Sequence, residues 1–282
     1  MKKNKIVDIK KLKNLNTAFA TLTAYDFPSA QIINTLNIPL VLVGDSASMV
    51  VYGYRDTTSI GMDEMLLICR AVQRGTETAL LVGDMPFMSY QPSVEIAITN
   101  AGRFIKEGKM DAVKLEGGKE YVNHISAIIN AGIPVMGHIG LKPQSVLIES
   151  GYKIKGKNAQ DALKIYQDAI ALEKAGVFAL VLEGIPEEVA HIITQTIKIP
   201  TIGIGAGGLC DGQIQVLHDV IGLLGSNIPK HAKIYMDAQS MIKDGLTKYQ
   251  LEVQKNQFPT NANTIKMNQK ELQLLKQKIE NL

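Results

Sequence analysis

The chain has 282 residues, which is longer than an average domain but typical of a single α/β barrel. Hydrophobic residues make up 46% and charged residues 20% of the sequence, a balance expected of a soluble globular protein. The net charge of +3 is small, and six lysines within residues 1–14 account for the excess. We interpret these lysines as a solvated N-terminus rather than a nucleic-acid or lipid surface.

The sequence also carries signals about its compartment. No apolar segment follows the N-terminal lysines, so they do not begin a secretory signal. No uninterrupted apolar run of about 20 residues is present, which argues against a membrane span. Cys69 and Cys210 are far apart and fit no metal or redox spacing. We therefore expect a cytoplasmic protein.

Short apolar runs alternate with stretches of helical period along the chain, which is the pattern of repeated βαβ units. Eight runs are predicted strands: Ala18–Thr23, Pro39–Val43, Ala79–Val82, Ala112–Leu115, Pro134–Gly137, Phe178–Leu182, Thr201–Ile204 and Val220–Leu224. Several are apolar at consecutive positions, as in parallel strands that are covered on both faces. The count predicts an α/β protein with a closed (β/α)₈ TIM barrel, although an open doubly wound sheet has the same periodicity.

Four of the intervening helices have recognisable ends. Ser93 is a suitable N-cap for a helix over Val94–Lys106, and Gly108 lies just beyond it. Three more helices are predicted at Met62–Gln73, Tyr121–Asn130 and Asp161–Lys174, before Gly75, Gly132 and Gly176. We interpret each glycine as a left-handed residue that ends its helix.

The C-terminal part has a different pattern. Phe258-Pro259 ends the globular pattern, so we predict a catalytic barrel over residues 1–258 and a linker with an amphipathic helix over residues 259–282. Four apolar residues share one face of that helix: Leu272, Leu275, Ile279 and Leu282. Its mixed charge favours docking on its own or a neighbouring subunit over anchoring in a membrane.

Polar side chains stand at the ends of five consecutive predicted strands. Two of these strands end alike, in Val43-Gly44-Asp45 and in Val82-Gly83-Asp84. The next three strands are followed by Glu116, His138 and Glu183. Because the C-terminal ends of the strands in a barrel converge on one mouth, we expect these five side chains to meet there.

A group of carboxylates with no counter-charge is unfavourable, and a hard divalent cation removes that cost. Mg²⁺ prefers oxygen ligands, whereas the near absence of nitrogen and sulfur donors disfavours Zn²⁺. Asp45, Asp84 and Glu116 are therefore the predicted metal ligands. The alternative for each acid taken alone is an N-cap of the following helix.

Three further residues are candidates for the chemistry. Lys114 lies two positions before Glu116 on the same strand, so both side chains point to the same side. There Lys114 could bind a substrate carboxylate or enolate; the alternatives are an ion pair with a nearby acid and a Schiff base. His138 is a candidate for hydrogen bonding to substrate rather than a satisfied core histidine. Glu183 is the candidate general base, because partial burial raises the pKa of a carboxyl group, with a structural salt bridge as the alternative.

Ordered motifs run through residues 19–233. They include Thr23-Ala24-Tyr25-Asp26, Val43-Gly44-Asp45-Ser46, Gly83-Asp84-Met85-Pro86-Phe87, Val113-Lys114-Leu115-Glu116-Gly117-Gly118, Gly137-His138-Ile139-Gly140-Leu141 and Cys210-Asp211-Gly212-Gln213. In this order and spacing, they resemble the ketopantoate hydroxymethyltransferase (3-methyl-2-oxobutanoate hydroxymethyltransferase) family. Two departures are Ala47-Ser48, where the family often has Leu-Gly, and His231, where Phe is common.

The resemblance implies a Mg²⁺-dependent barrel enzyme of pantothenate and coenzyme A synthesis. Such an enzyme transfers a hydroxymethyl group from 5,10-methylenetetrahydrofolate to 3-methyl-2-oxobutanoate, giving 2-dehydropantoate, and works as a homodecamer, a pentamer of dimers, without nucleic acid or membrane. The implied roles are metal binding for Asp45, Asp84 and Glu116, oxo-acid binding for Asp45, Ser46, Asp84 and Lys114, assistance at the substrate for His138, and proton acceptance for Glu183.

Two other functions compete with this one. The first is a Mg²⁺-dependent enolate lyase of the isocitrate-lyase or phosphonopyruvate type, whose barrel places acids similarly. Those lyases use a cysteine or another group on a mobile loop, and neither Cys69 nor Cys210 lies in such a loop of the predicted arrangement. The second is a metabolite-binding barrel without catalysis, which predicts ligand binding without turnover.

Overall fold

The computed structural model describes residues 2–13, 15, 17–225 and 228–282. The chain divides into two compact units, Met1–Met236 and Asp237–Leu282. None of the helices in the described ranges combines the length and hydropathy that crossing a bilayer requires. The division into a catalytic barrel over residues 1–258 and an accessory segment over 259–282 stays a prediction, because compactness alone assigns a function to neither part.

Eight parallel strands form the centre of the first unit. They are β1 (Phe19–Thr23), β2 (Leu40–Val43), β3 (Leu80–Asp84), β4 (Ala112–Glu116), β5 (Val135–Gly140), β6 (Ala179–Glu183), β7 (Thr201–Ile204) and β8 (Gly212–Gln215). Each strand pairs with the next, and β8 pairs with β1, so the sheet closes on itself. This confirms the predicted (β/α)₈ TIM barrel and excludes the open sheet.

Helices follow most strands and form the outer layer. The first unit contains α1 (Ile6–Lys10), α2 (Phe27–Thr35), α3 (Ala47–Val50), α4 (Met62–Gly75), α5 (Val94–Lys106), α6 (Val122–Asn130), α7 (Val146–Glu149), α8 (Ala159–Ala175), α9 (Glu187–Thr196) and α10 (Leu217–Val220). Short 3₁₀ helices lie at Thr57–Ser59, Lys119–Tyr121 and Pro143–Ser145. The second unit contains α11 (Ala238–Gln254), a 3₁₀ turn at Asn261–Asn263 and α12 (Gln269–Glu280). The predicted C-terminal helix is thereby confirmed, and its docking partner stays a prediction.

The glycines at the predicted helix ends have two different roles. Gly176 follows α8 with φ of 101°, the left-handed conformation that was expected. Gly75 is instead the last residue of α4, and a Cβ there would lie 2.6 Å from the carbonyl oxygen of Phe27. The left-handed residue after α5 is Lys109, with φ of 58°, rather than Gly108. The interpretation of Gly75 and Gly108 as left-handed stops was therefore wrong, since close packing requires them.

The eighth predicted strand was wrong. Val220–Leu224 begins with the last residue of α10 and continues as turns, whereas the strand is Gly212–Gln215. This strand alternates buried and half-buried positions and contains two glutamines, so it lacks the apolar run by which the other strands were found. The position of β8 is set by pairing with β1, in which Gly212 lies opposite Phe19. The packing is close there, since a Cβ on Gly212 would be 2.6 Å from the Phe19 ring.

Two apolar clusters fix the direction of every side chain on the strands. In β4, Val113 and Leu115 belong to the cluster shared with the helices, while Ala112 belongs to a separate inner cluster that fills the barrel. Alternation along the strand then places Lys114 and Glu116 inside the barrel, beyond Ala112. The inner cluster includes Ile9 of α1, which is fully buried. The inside of the barrel is therefore mostly apolar beneath Lys114 and Glu116, and the buried Thr21 of β1 is a polar exception there.

We expect Gly212→Ala to lower the free energy of unfolding by about 1–3 kcal/mol, because the added methyl group overlaps the Phe19 ring where β8 closes the barrel. Urea denaturation followed by circular dichroism measures this change. Gly102→Ala is the matched control, since Gly102 lies within α5 and a methyl group added there would meet nothing within 4 Å. It should leave stability unchanged or raise it by up to about 1 kcal/mol. An unaltered stability of the Gly212→Ala protein would contradict the assignment of β8.

Candidate active site

The polar side chains at the strand ends meet in one cavity at the carboxyl-terminal mouth of the barrel. Strand register places Asp84 beside Lys114, Glu116 beside His138 and Glu183 beside Gly140. The cavity has a volume of about 650 Å³. All seven predicted site residues line it: Asp45, Ser46, Asp84, Lys114, Glu116, His138 and Glu183. The structure thus brings the predicted residues together, while their catalytic roles stay predictions.

Lys114 is the cation at the centre of this group. Its Nζ lies 2.8 Å from Asp84 Oδ1 and 3.8 Å from Glu116 Oε1, and its side chain is only 5% exposed. Burial acts to lower the pKa of Lys114, but the surrounding carboxylates of Asp84, Glu116 and Asp45 outweigh it and raise that pKa above its ordinary value. Lys114 is therefore an ammonium ion, which favours anion binding or ion pairing over Schiff-base chemistry.

The carboxyl groups around Lys114 are buried and close to one another. Asp84 Oδ2 accepts a hydrogen bond from the main-chain N–H of Asp45 at 3.1 Å. Burial, together with the neighbouring charge of Asp84, raises the pKa of Asp45 well above its usual range. Burial likewise raises the pKa of Glu116 to about 8. Three acids share one ammonium group, so the cluster has an excess of negative charge whenever all three are ionised.

The donor set can be tested against a divalent cation. Among the described residues, no group of three or more His, Cys, Asp and Glu side chains is arranged to hold a metal ion by itself. One reason is that Lys114 already lies against Asp84. Mg²⁺ does not need such a group, because it commonly takes one or two carboxylates together with waters and substrate oxygens.

One oxygen atom in the cluster favours a cation. Glu116 Oε1 is buried and has no hydrogen-bond partner, although Lys114 and His138 lie within 3.8 Å and 3.6 Å of it. An unsatisfied buried carboxylate oxygen is costly, and a cation beside it offsets that cost. The oxygen-rich cluster, whose ionised form has an excess of negative charge, therefore fits Mg²⁺ better than a metal that prefers nitrogen or sulfur. The assignment of Asp45, Asp84 and Glu116 as its ligands stays a prediction.

Glu183 and His138 form the other side of the site. His138 Nε2 lies 3.2 Å from Glu183 Oε2, and the Glu183 side chain is 16% exposed. Burial lowers the pKa of His138 well below its usual value, and the charge of Lys114 acts in the same direction. Burial raises the pKa of Glu183 to about 7, with Lys114 acting to lower it. A neutral imidazole thus stands beside a carboxyl group that is partly ionised near neutral pH.

Several residues at this site were missed by the sequence analysis. Tyr25 and Ser46 share a hydrogen bond of 2.8 Å between their hydroxyl groups, which orients Ser46. Gln144 is buried and donates to Asp45 Oδ2 at 2.8 Å. Two signals in the sequence pointed to Gln144: it follows β5 by a few residues, and Pro143-Gln144-Ser145 is one of the motifs that resemble the family, although no role was assigned to it. His231, one of the departures from the resembled family, also lines the cavity.

We expect Glu183 to give the protein a pH-dependent stability. Burial raises the pKa of Glu183 from 4.5 to about 7 in the folded protein, so the fold binds this proton more tightly than the unfolded chain does. The resulting stabilisation is fully present below about pH 4.5 and is lost as the pH rises through about 7. Relative to Glu183→Gln, the wild type should lose about 1–3 kcal/mol of unfolding free energy between about pH 5 and pH 8. Urea denaturation across that range measures it.

Glu95→Gln is the control for this experiment. Hydrogen bonds to its own main chain and to Ser93 lower the pKa of Glu95, so it stays ionised throughout the range. Its substitution should leave the pH dependence of the wild type in place. A pH dependence of Glu183→Gln that matches the wild type would contradict the raised pKa of Glu183.

Solved structures with the same fold include two enzymes of low sequence identity. Phosphonopyruvate hydrolase superposes with a TM-score of 0.60 at 12% identity, covering 100% of this chain and 97% of the hydrolase. 2,3-Dimethylmalate lyase, a member of the PEP mutase/isocitrate lyase superfamily, has a TM-score of 0.57 at 14% identity, covering 98% and 96%. At these identities the likeness establishes the barrel fold alone.

Sequence relatives are much closer. The 3-methyl-2-oxobutanoate hydroxymethyltransferase of Dehalococcoides mccartyi is 51% identical over 271 residues, covering 96% of this chain and 97% of the relative. The enzyme of the same name from Clostridium novyi is 48% identical over 273 residues, covering 97% and 99%. The sequence profile of the Ketopantoate hydroxymethyltransferase family matches residues 3–261. The chain therefore belongs to the ketopantoate hydroxymethyltransferase family.

Proposed function

We propose that the protein transfers a hydroxymethyl group from 5,10-methylenetetrahydrofolate to 3-methyl-2-oxobutanoate, giving 2-dehydropantoate for pantothenate and coenzyme A synthesis. Membership of the family supports this reaction. One structural observation carries it: the carboxyl group of Glu183, 3.2 Å from His138, faces the same cavity as the side chain of Lys114 and three buried acids. That cavity can remove a carbon-bound proton and stabilise the resulting negative charge.

Glu183 is proposed as the base. Its pKa of about 7 leaves a substantial fraction ionised at neutral pH and makes it a stronger base than an exposed glutamate. It takes the proton from C3 of the oxo acid. His138 lies 3.2 Å from Glu183 and, being neutral, can donate or accept a hydrogen bond at the substrate without adding charge.

Lys114 is proposed to hold the negative charge that forms on the oxo acid. Its ammonium group is buried, so its interaction with an anion is screened little by water. Ser46 also lines the cavity and offers a hydroxyl group fixed by Tyr25. These groups orient the oxo acid and exclude water from its reacting carbon.

Asp45, Asp84 and Glu116 are proposed to hold Mg²⁺ together with the oxo acid, because a divalent cation suits their oxygen donors and relieves the burial and repulsion that raise the pKa of Asp45 and Glu116. When bound, Mg²⁺ supplies Lewis acidity that makes the C3 proton of a 2-oxo acid easier to remove. The chain's own contribution is to keep these carboxylates close together and out of bulk water.

The folate is proposed to enter from the outer, apolar part of the cavity. Side chains of this part include Met49, Val50, Tyr54, Leu141 and Tyr152. Tyr152 donates a hydrogen bond to Met49 Sδ at 3.7 Å, and both side chains are partly exposed. The deprotonated C3 attacks the folate methylene carbon and one of its two C–N bonds breaks. Water then replaces the second nitrogen at that carbon, so that both nitrogens end protonated, tetrahydrofolate leaves and the hydroxymethyl group stays on the oxo acid.

The lyase alternative is not favoured by this chain. Cys69 and Cys210 are both buried, and neither is among the residues that line the described cavity. The cysteine chemistry of a mobile loop therefore has no counterpart among these residues. A homodecamer built as a pentamer of dimers and a cytoplasmic location belong to the same proposal, as the family resemblance implies.

We expect Glu183→Gln to lower kcat by about 10²–10⁴-fold, because the amide cannot accept the C3 proton, while the KM for the oxo acid changes by less than about threefold. A coupled assay with oxo acid, methylenetetrahydrofolate and Mg²⁺ measures both. Exchange of the C3 proton in D₂O, followed by NMR, isolates the first step. Glu120→Gln, at an exposed ion pair with Lys142, is the control and should retain wild-type rates. Unchanged turnover in Glu183→Gln would refute the proposed base.

Removal of divalent cations is expected to abolish turnover. In the same coupled assay, EDTA should reduce the rate by at least about 10²-fold, and excess Mg²⁺ should restore it, because chelation removes the Lewis acidity that makes the C3 proton easier to remove. Circular dichroism before and after chelation shows whether the fold is retained. Full activity in EDTA, with metal content verified by elemental analysis, would rule out the metal-dependent reaction.

A further inference from the structure

Gln144 is a buried residue that uses every hydrogen-bonding group of its side chain. It lies in the 3₁₀ helix Pro143–Ser145 after β5, and it is 3% exposed. Its Nε2 donates to Asp45 Oδ2 at 2.8 Å and to the carbonyl oxygen of Met85 at 2.9 Å. Its Oε1 accepts from the hydroxyl group of Tyr90 at 3.0 Å and from Gln91 Nε2 at 3.2 Å. The side chain is therefore fully satisfied and held in one position.

The main chain of the same residue contacts a second acid. The N–H of Gln144 donates to Glu116 Oε2 at 3.0 Å. Gln144 thus binds Asp45, which follows β2, and Glu116, which ends β4, from a loop that follows β5. In the described contacts it takes one oxygen of each carboxylate. Glu116 Oε1 is left without a hydrogen-bond partner, and Asp45 lines the cavity.

The orientation of the Gln144 amide follows from its neighbours. A carboxylate of Asp45 and the carbonyl of Met85 can only accept, so the NH₂ group must face them. A reversed amide would place Oε1 against two acceptors. The Tyr90 hydroxyl accepts from the N–H of Glu116 at 3.2 Å, and its single proton is shared between Gln144 Oε1 at 3.0 Å and the carbonyl oxygen of Glu116 at 2.9 Å, so the contacts to Asp45 and Met85 decide the orientation.

We propose that Gln144 is a positioning residue for the metal site: it holds Asp45 and Glu116 by one oxygen each, so that their remaining oxygens are directed to a shared divalent cation. This inference rests on the proposed function, in which those acids bind Mg²⁺. A neutral amide suits the task because it orients carboxylates without cancelling the negative charge that a cation needs. A lysine or arginine at this position would compete with the metal.

The test uses Mn²⁺ alone as the probe, with binding measured by the electron paramagnetic resonance signal of the free ion. Gln144→Met keeps the length of the side chain but removes its donors and acceptor. Gln144→Asn keeps a neutral amide that is one methylene too short to reach Asp45, and it disturbs folding less. Gln91→Met is the matched control, because it removes a contact to Gln144 Oε1 and leaves the donation to Asp45 in place.

Both Gln144 variants are expected to bind Mn²⁺ about 10–100-fold more weakly than the wild type, the usual effect of losing an outer partner of a metal ligand. The control should change by less than about threefold. In steady-state assays, the apparent KM for Mg²⁺ should rise by a similar factor, while kcat at saturating Mg²⁺ stays within a few-fold. Rescue by excess metal separates positioning from a general loss of structure, which would lower kcat at any metal concentration.

Two results would overturn the inference. One is an affinity for Mn²⁺ within twofold of the wild type in a folded Gln144 variant. The other is an equal loss of affinity in Gln91→Met. A different result would contradict the proposed reaction: wild-type protein that binds Mn²⁺ but shows no turnover in the coupled assay. In that case a weakened affinity in the Gln144 variants still supports the positioning role.

Discussion

Three buried carboxyl groups share a single ammonium group inside the barrel, and the rest of the site depends on this imbalance. Lys114 lies 2.8 Å from Asp84 and 3.8 Å from Glu116, with water nearly excluded from all of them. Burial of charge is expensive, so such a cluster persists only where the surrounding structure holds its members in place. The closed sheet does so, because the three acids stand at or just after neighbouring strands whose positions are set by main-chain pairing. When all three acids are ionised the cluster has an excess of negative charge, which suits a divalent cation that binds together with an anionic substrate.

Burial shifts the pKa of Glu183 and that of His138, on the other side of the site, in opposite directions. It raises the pKa of Glu183 and lowers that of His138, because in both cases the charged form is disfavoured. A partly ionised carboxyl group and a neutral imidazole therefore stand 3.2 Å apart. Lys114 moderates the shift of Glu183, so that this carboxyl remains available as a base near neutral pH. The protonation states of both groups are thus set by their environment rather than by residue type.

Residues outside the strand ends complete the arrangement. Gln144 and Tyr90 connect Asp45 and Glu116 through hydrogen bonds that leave few polar groups of this layer unsatisfied. A buried polar network stabilises the fold most when every donor and acceptor is paired, because each unpaired buried group is destabilising. Glu116 Oε1, both ring nitrogens of His138 and Thr57 Oγ1 line the same cavity and have no hydrogen-bond partner among the described residues. Unpaired buried polar atoms beside a cavity favour a polar ligand there.

The sequence by itself determined seven of the strands and the convergence of the acids on the mouth. Parallel strands covered on both faces must be apolar along their length, so an acid that ends such a run, as Asp45 and Asp84 do, stands out locally. Only the tertiary structure decided the eighth strand and the role of Gln144. Gly212–Gln215 is a strand because β1 and β7 lie on either side of it, and Gln144 reaches Asp45 across 99 residues of chain. Such contacts depend on where the folded chain returns, which no local pattern of apolar and polar residues encodes.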